Sequence, residues 1–553
     1  MIAMMSQFVR DDEYLFFASV CKSWNSSWVV QQGNGDNNDH DDNESADEAD
    51  KDETKVNEDL LSAHPLRHHD GYRQSARQQQ RQQQQNEKQR RRPTHTRAIA
   101  PYTTASQLTS SFQCGLQCTS FICDEAARHC PLEVLQCARS HGCPWTEKTC
   151  SGSANTNTLD VLQWARENGC PWDVTTCRAA AGRGHLEMLM WCRENSAPWD
   201  SSTCYSAARG GHLMVLKWAR ENGADWDTRT TRCAAEAGHL EVLQWCRENG
   251  CPWTDDVCIG AAAGGHLEVL KWARENGCPW TSRTCSTAAA AGHLKTLRWA
   301  REHGCPWNKT TCSYAAAAGH LEVLRWAYEN GLEGDARTCA LAAKGGHLEV
   351  LQFVREHECP WSPLTCMEAA YGGHMNVLQW ARENGCFWDE GTCFGAARAG
   401  HLSVLQWCRA HGCPWNESTC STAAAEGHLR VLKWARANGC PWDSLTCTMA
   451  AENGHLNVVQ WAHLNGCSWD ASTCTGAARM GHLEIVQWAR SQGCPWNADT
   501  CGRAARGGHL EVLKWCRENG CPWDDSTLYW AMMEERSEMI EWARANECPE
   551  PSR

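Results

Sequence analysis

Three residue types recur in this chain at a spacing that invites a chemical reading. Thirteen Gly-His pairs stand 27 residues apart without an insertion, from His185, His212 and His239 through to His482 and His509. Cysteine, 37 copies in all, follows the same register, as in Cys278 and Cys285 or Cys440 and Cys447. Tryptophan stands six residues after each of these histidines, except at Phe353, and in most units again eight residues later, after a Cys-Pro step. Imidazoles and thiolates ligate metals or act as bases and nucleophiles. Indole faces stack on nucleic-acid bases.

Each chemistry requires side chains to converge, whereas these series place one copy in every unit along an axis. Zinc knuckles space their cysteines about two to four residues apart, and Cys278 and Cys285 have six residues between them. Ala197 and Ala224 replace the first cysteine of the pair, and Thr231 replaces the second. Interchange of that kind suits small buried side chains. The tryptophans, in fixed register beside Leu and Val, read as core, with the Trp after Pro nearer a loop and partly buried. There is no P-loop, dinucleotide fingerprint, pair of catalytic carboxylates or nucleophile elbow. The expectation is a non-enzymatic chain with no catalytic residue, metal or cofactor.

The elements behind this register can be read from residues 284 to 310, TCSTAAAAGHLKTLRWAREHGCPWNKT. A short Ala-rich helix runs around Cys285 to Ala291, with Thr284 available as its N-cap and Gly292 to end it. A second helix follows from Leu294 to His303, with Leu294, Leu297, Trp299 and Ala300 on its apolar face. Gly304 stops it and Pro306 blocks continuation. Neither helix is long enough to be stable alone, so neighbouring units must supply the core. Extending the register outward adds degenerate units in which Pro131, Thr158 and Arg536 occupy the histidine position, giving sixteen in all. Blurred ends suit a solenoid, whose terminal units have one neighbour each. The fold class expected is all-α, a solenoid of about sixteen stacked helix-turn-helix repeats with short loops.

The string Ala-Ala-x-x-Gly-His-Leu-Glu-Val-Leu, with Trp and a Gly following, spans Ala261 to Gly277 and again Ala504 to Gly520. It resembles the central part of ankyrin repeats, which carry an Ala-Ala pair, a Gly-His turn and a Leu-rich helix. The unit is shorter than the usual length of about 33 residues and lacks most of the projecting β-hairpin segment. Thr-Pro-Leu-His is reduced to Thr-Cys and two variable residues, and Cys-Pro-Trp-Asp often follows the closing Gly. The resemblance covers about residues 119 to 550 and implies a stacked helix-pair solenoid. It also implies that each imidazole hydrogen-bonds backbone groups and ties neighbouring turns.

Three segments follow from this reading: 1–30, 31–118 and 119–553, the last being the solenoid. Residues 36 to 59 carry twelve Asp and Glu against two Lys and read as a disordered acidic run. QQQRQQQQNEKQRRRPTHTR, residues 78 to 97, reverses the sign and reads as a solvated linker, with a nuclear import signal or a nucleic-acid contact at Lys88 to Arg92 as the alternatives. LFFASVCKSWNSSW, beginning at Leu15, resembles the last helix of an F-box. That likeness implies a ubiquitin-ligase adaptor as partner. Only this half of the motif is present, and the alternatives are a remnant of the motif or an amphipathic helix that packs on another protein. The chain has no membrane-length apolar run and no signal-peptide core. Its many free thiols suit a reducing compartment, cytoplasmic or nuclear.

Partner selection is expected where copies differ, because an irregular partner needs an irregular face. Variation is greatest seven and three residues before each histidine, i,i+4 positions on one face of the first helix. The candidates are Met367 with Tyr371, Phe394 with Arg398 in the next unit, and Tyr205 with Arg209. Aromatic, Met and Arg side chains are the usual anchors of protein interfaces. A protein partner of unspecified identity is the leading expectation, with no membrane and no oligomer required. The alternatives are a ligase substrate receptor and a nucleic-acid-binding solenoid. The latter predicts a continuous basic stripe through Arg398, Arg479 and Arg506. The net charge of -14 and the interspersed Glu236, Glu426 and Glu452 oppose it.

Overall fold

The computed structural model describes residues 104–551. The F-box-like phrase, the acidic run and the Gln/Arg-rich stretch lie outside the described residues. Among the described residues there are 33 helices and no strand. Sixteen helix pairs follow one another from Ser120–His129 with Leu132–Ser140 to Asp525–Met533 with Ser537–Ala545. First helices pack on first helices along the whole row, while second helices touch their counterparts only lightly. Ala-Ala pairs make the tight row: Ala207, Ala208, Ala288, Ala289, Ala477 and Ala478 are fully enclosed or nearly so. Between the rows lie Leu216, Leu243, Leu270 and Leu297, all buried.

In the unit read above, the first helix spans Ser282–Ala290 and the second Leu294–Glu302. The cap differs from the sequence reading. Thr281, extended at φ -135° and ψ 177°, is the N-cap, and Thr284 sits one turn inside, fully buried. The reason is visible in sister units, where Asp or Asn follows the loop Trp. Asp173 accepts the Thr175 N–H at 3.0 Å and Asp470 the Ser472 N–H at 2.9 Å. Those side chains satisfy amides that a helix start otherwise leaves without partners.

The loop cysteine returns to the same place. Cys305 Sγ donates to the Thr281 carbonyl at 3.5 Å, Cys359 to Asp335 at 3.2 Å, and Cys440 to Asn416 at 3.5 Å. Where the cysteine is present, its thiol therefore binds the loop to the cap residue of its own first helix. Burial pushes the Cys123, Cys204 and Cys312 thiols up to about 12, far from the reactive thiolate. Among the described cysteines only Cys114 and Cys118 are exposed. Treatment of the native chain with a thiol reagent should modify these two rapidly and the buried ones only after unfolding. Mass spectrometry of the labelled peptides measures this; rapid modification of Cys285 or Cys305 would contradict it.

The histidines tie unit to unit. His239 Nε2 lies 3.1 Å from the Arg209 carbonyl, His293 Nε2 3.1 Å from that of Ala263, and His374 Nε2 2.9 Å from that of Lys344. A carbonyl only accepts, so Nε2–H donates in each case. The acceptor belongs to the last turn of the preceding first helix, where carbonyls lack intrahelical partners. The glycine before each histidine packs against the next ring, or, at Gly508, against Arg536 in the histidine's place. Gly238 has φ +80°, and a Cβ there would meet the His266 ring at 2.6 Å.

Tryptophans and arginines form the second tie. Trp280, in a loop, meets Trp299 of the next unit edge-on, with centroids 6.1 Å apart. The Arg274 guanidinium lies over the Trp280 ring at 4.1 Å and donates to the Cys278 carbonyl. The same trio recurs as Arg382, Trp388 and Trp407. These indoles are half-buried rather than enclosed, so they seal the edge of the core instead of forming its centre. Three units depart from the pattern: His463 takes the Arg position and stacks on Trp469 at 3.6 Å, Glu550 takes the last loop-Trp position, and a third changes both. Tyr328 stands where others have Arg, and Gly334 where they have Trp. A Cβ on Gly334 would meet Tyr328 Oη at 2.6 Å, so the phenol fills the missing indole's place. Its ring packs edge-on to Phe353 at 5.4 Å, which explains the single Phe in the tryptophan series.

A lone helix, Ala105–Gln113, precedes the pairs and falls inside the stretch read from sequence as linker. It packs on the second helix of the first pair through Leu108, which is fully buried, and Phe112, which stacks on His141 at 4.6 Å. It covers apolar surface that the first unit would otherwise expose.

Candidate partner-binding face

The positions seven and three residues before each histidine occupy one face of the first-helix row. Met367, Tyr371, Phe394 and Tyr205 are half-buried there, while Arg398 and Arg209 are exposed. The structure brings part of the predicted set together. The Arg398 guanidinium lies 5.8 Å from the Tyr371 ring. Met367 is adjacent to the next helix, with its Sδ 3.4 Å from where a Cβ on Gly391 would stand. Tyr205 and Arg209 lie several units earlier and form a separate patch. There Arg229 covers the Tyr205 ring at 4.9 Å, and Arg209 approaches Glu236 at 4.0 Å.

The sequence reading missed Lys344. Its Nζ lies 5.2 Å from the Tyr371 ring on the side opposite in sequence to Arg398, so the phenol is flanked by a cation from each neighbouring unit. Both cations are anchored: Lys344 to Glu368 at 3.3 Å and Arg398 to Glu426 at 3.5 Å. The signal was available, because Lys344 holds the same register position as Tyr371 and Arg398. Its companion four residues earlier is Ala340, and a search for paired large residues passes over it.

The face then alternates in sign. Arg479 pairs with Glu452 of the preceding unit, and Arg506 with Glu534 of the following one at 4.0 Å. Arg398, Arg479 and Arg506 therefore do not make a continuous basic stripe. Between the patches, Ala263, Ala290 and Ala317 leave the row without side chains long enough to grip a partner. No described helix is long and apolar enough to cross a membrane.

Two segments, residues 204–245 and 312–355, match the family model described as ankyrin repeats (many copies). No curated protein matches the chain. Among solved structures, it is similar to the pentatricopeptide repeat protein PPR10 from maize at 15% identity and a TM-score of 0.26, over 76% of this chain and 77% of that one. It is also similar to the human ASB11 ankyrin repeat domain at 17% identity and a TM-score of 0.27, over 33% of this chain and 98% of that one. Both matched segments fall within the 27-residue register that runs from His185 to His509. At residues 204–245 and 312–355 the solenoid carries ankyrin repeats.

Proposed function

We propose that the chain is a non-enzymatic scaffold that selects a protein partner through the first-helix face, with the patch at Met367, Tyr371, Phe394 and Arg398 as its central anchor. The observation that carries this reading is the phenol of Tyr371 between Lys344 and Arg398, next along the row from the short side chains of Ala263, Ala290 and Ala317. Interfaces draw most of their affinity from a few aromatic and Arg side chains whose positions are fixed before binding. Here the two ion pairs fix the cations and the cations flank the ring. A ligase-receptor role would add an adaptor-docking segment at Leu15 to Trp28 without changing which face selects the partner.

The test is affinity capture from the native organism with the full chain, its Tyr371→Ala and Phe394→Ala variants, and a Ser286→Ala control. Loss of an anchor typically costs about 2 kcal/mol or more, which is about 30-fold in Kd. Both anchor variants should lose the captured protein and the control should retain it. Equal capture by all four chains would rule this patch out.

A further inference from the structure

At the N-terminal end of the same face the row changes character. Position by position before the histidine register, the residues are Arg128, Asn155, Gly182 and Arg209 in one line, with Ser151 and Arg178 in the other. The small residues open a trough of 640 Å³, lined by Arg128, Arg178, Arg183 and Arg209 and by no carboxylate. Gly182 forms part of its floor, where even a Cβ would press on Ser206 Cβ at 3.3 Å. The four guanidiniums are not equally engaged. Arg128 is held by Glu125 at 2.8 Å, and Arg209 lies 4.0 Å from Glu236. Arg183 donates through Nε to Asn155 Oδ1 at 2.9 Å, a neutral acceptor. Arg178, exposed and lining the trough, has no ion pair or hydrogen bond among the described residues.

A concave site with this lining attracts an oxyanion. Guanidinium forks take phosphate through paired, charge-assisted hydrogen bonds, and Lys, which serves only as a point charge, is absent from the lining. Ser206 adds a hydroxyl to the lining, while the Ser151 and Thr175 hydroxyls donate to the Lys148 carbonyl and to Asp173. Nucleic acid is a poor match. No aromatic side chain lines the trough for base stacking, and the net charge of -14 opposes a long polyanion. A single phosphate on a polypeptide concentrates its charge where the four arginines are. We propose that this trough binds a phosphorylated segment of a partner protein, with Arg178 and Arg183 taking the phosphate and Arg128 and Arg209 closing the ends. The proposal rests on the reading that the first-helix face is the binding face.

The test uses the full chain and fluorescence anisotropy with a degenerate peptide pool carrying one fixed phosphoserine. Matched pools carry Ser or Glu instead, and a short oligouridine serves as a nucleic-acid probe. The phosphoserine pool should bind about tenfold or more tightly than the Ser pool, in line with charge-assisted hydrogen bonding. Arg178→Glu should abolish that preference and Arg178→Lys should retain a weaker part of it, with helicity by circular dichroism unchanged in both. Equal binding of the Ser or Glu pool would overturn the assignment, as would preference for oligouridine or an unchanged preference in Arg178→Glu. The capture experiment at Tyr371 and Phe394 reads the central patch independently. Phosphoserine preference with unaffected capture would remove the central anchor and leave the trough standing. Lost capture without phosphoserine preference would do the reverse.

Discussion

Gly319→Ala is expected to destabilise the stack by about 3–5 kcal/mol, while Gly331→Ala in the same unit costs about 1–2 kcal/mol. The two glycines share a φ of +78°, so the backbone penalty for an L side chain is common to both. They differ in what a Cβ would meet. At Gly331 there is nothing within 4 Å, whereas at Gly319 the His347 ring lies 2.6 Å away. The ring has to move, and it then gives up the bond from its Nε2 to the Ala317 carbonyl at 3.2 Å. Urea unfolding of the two variants measures the difference. The cause is isolated by a double-mutant cycle with His347→Ala, which removes the ring. In that background Gly319→Ala should fall to the cost of Gly331→Ala. Equal costs for the two glycines in the parent chain would mean that the turn, and not the imidazole, imposes glycine there.

Acidification should weaken the stack well before the carboxylates titrate. Burial holds His212, His266, His320, His347 and His509 below the ordinary value of 6.5, and neighbouring imidazoles in the row add to the effect. Their backbone hydrogen bonds oppose it without reversing it. A lowered folded value means that the unfolded chain binds these protons first. Stability is therefore full above 6.5 and declines as pH falls from there through the folded values. The Asp caps act later. Asp227 and Asp470 are lowered from 3.8, with burial opposed by hydrogen bonds to their carboxylates, so their contribution is lost only below that value. Thermal unfolding followed from pH 7.5 to pH 3 should show two declines, the first beginning near 6.5. His347→Gln, which keeps an N–H donor but does not titrate, should make the first decline shallower. A flat profile between pH 7 and pH 5 would contradict the histidine assignment.

Much of the fold was legible because the repeat carries its own punctuation. Gly-His, the Leu positions and Gly304 with Pro306 mark turns and core faces that every copy restates. Thr284 misled because Ser and Thr favour N-caps in general, yet the carbonyl that begins this helix belongs to Thr281. The Asp and Asn residues at the equivalent positions of sister units were the better signal. The helix at Ala105–Gln113 left only Leu108 and Phe112, four residues apart, as its trace, too little to separate from linker. The face was harder still. A single unit's sequence identifies Tyr371 as variable, but the phenol's setting comes from Lys344 and Arg398 one repeat to either side. The arginine trough likewise spans several units, two of which, with Pro131 and Thr158 at the histidine position, lie where the register is faintest.

Contacts that run almost wholly between adjacent units also bear on how the chain is made. Each 27-residue segment of the solenoid leaving the ribosome finds its docking surface already in place, and among the described residues no strand must wait for a distant sequence. Ala105–Gln113 emerges ahead of the first pair and closes that end at once, so growth proceeds from one open tip. Vectorial folding of this kind would complete the arginine trough long before Tyr371 leaves the exit tunnel.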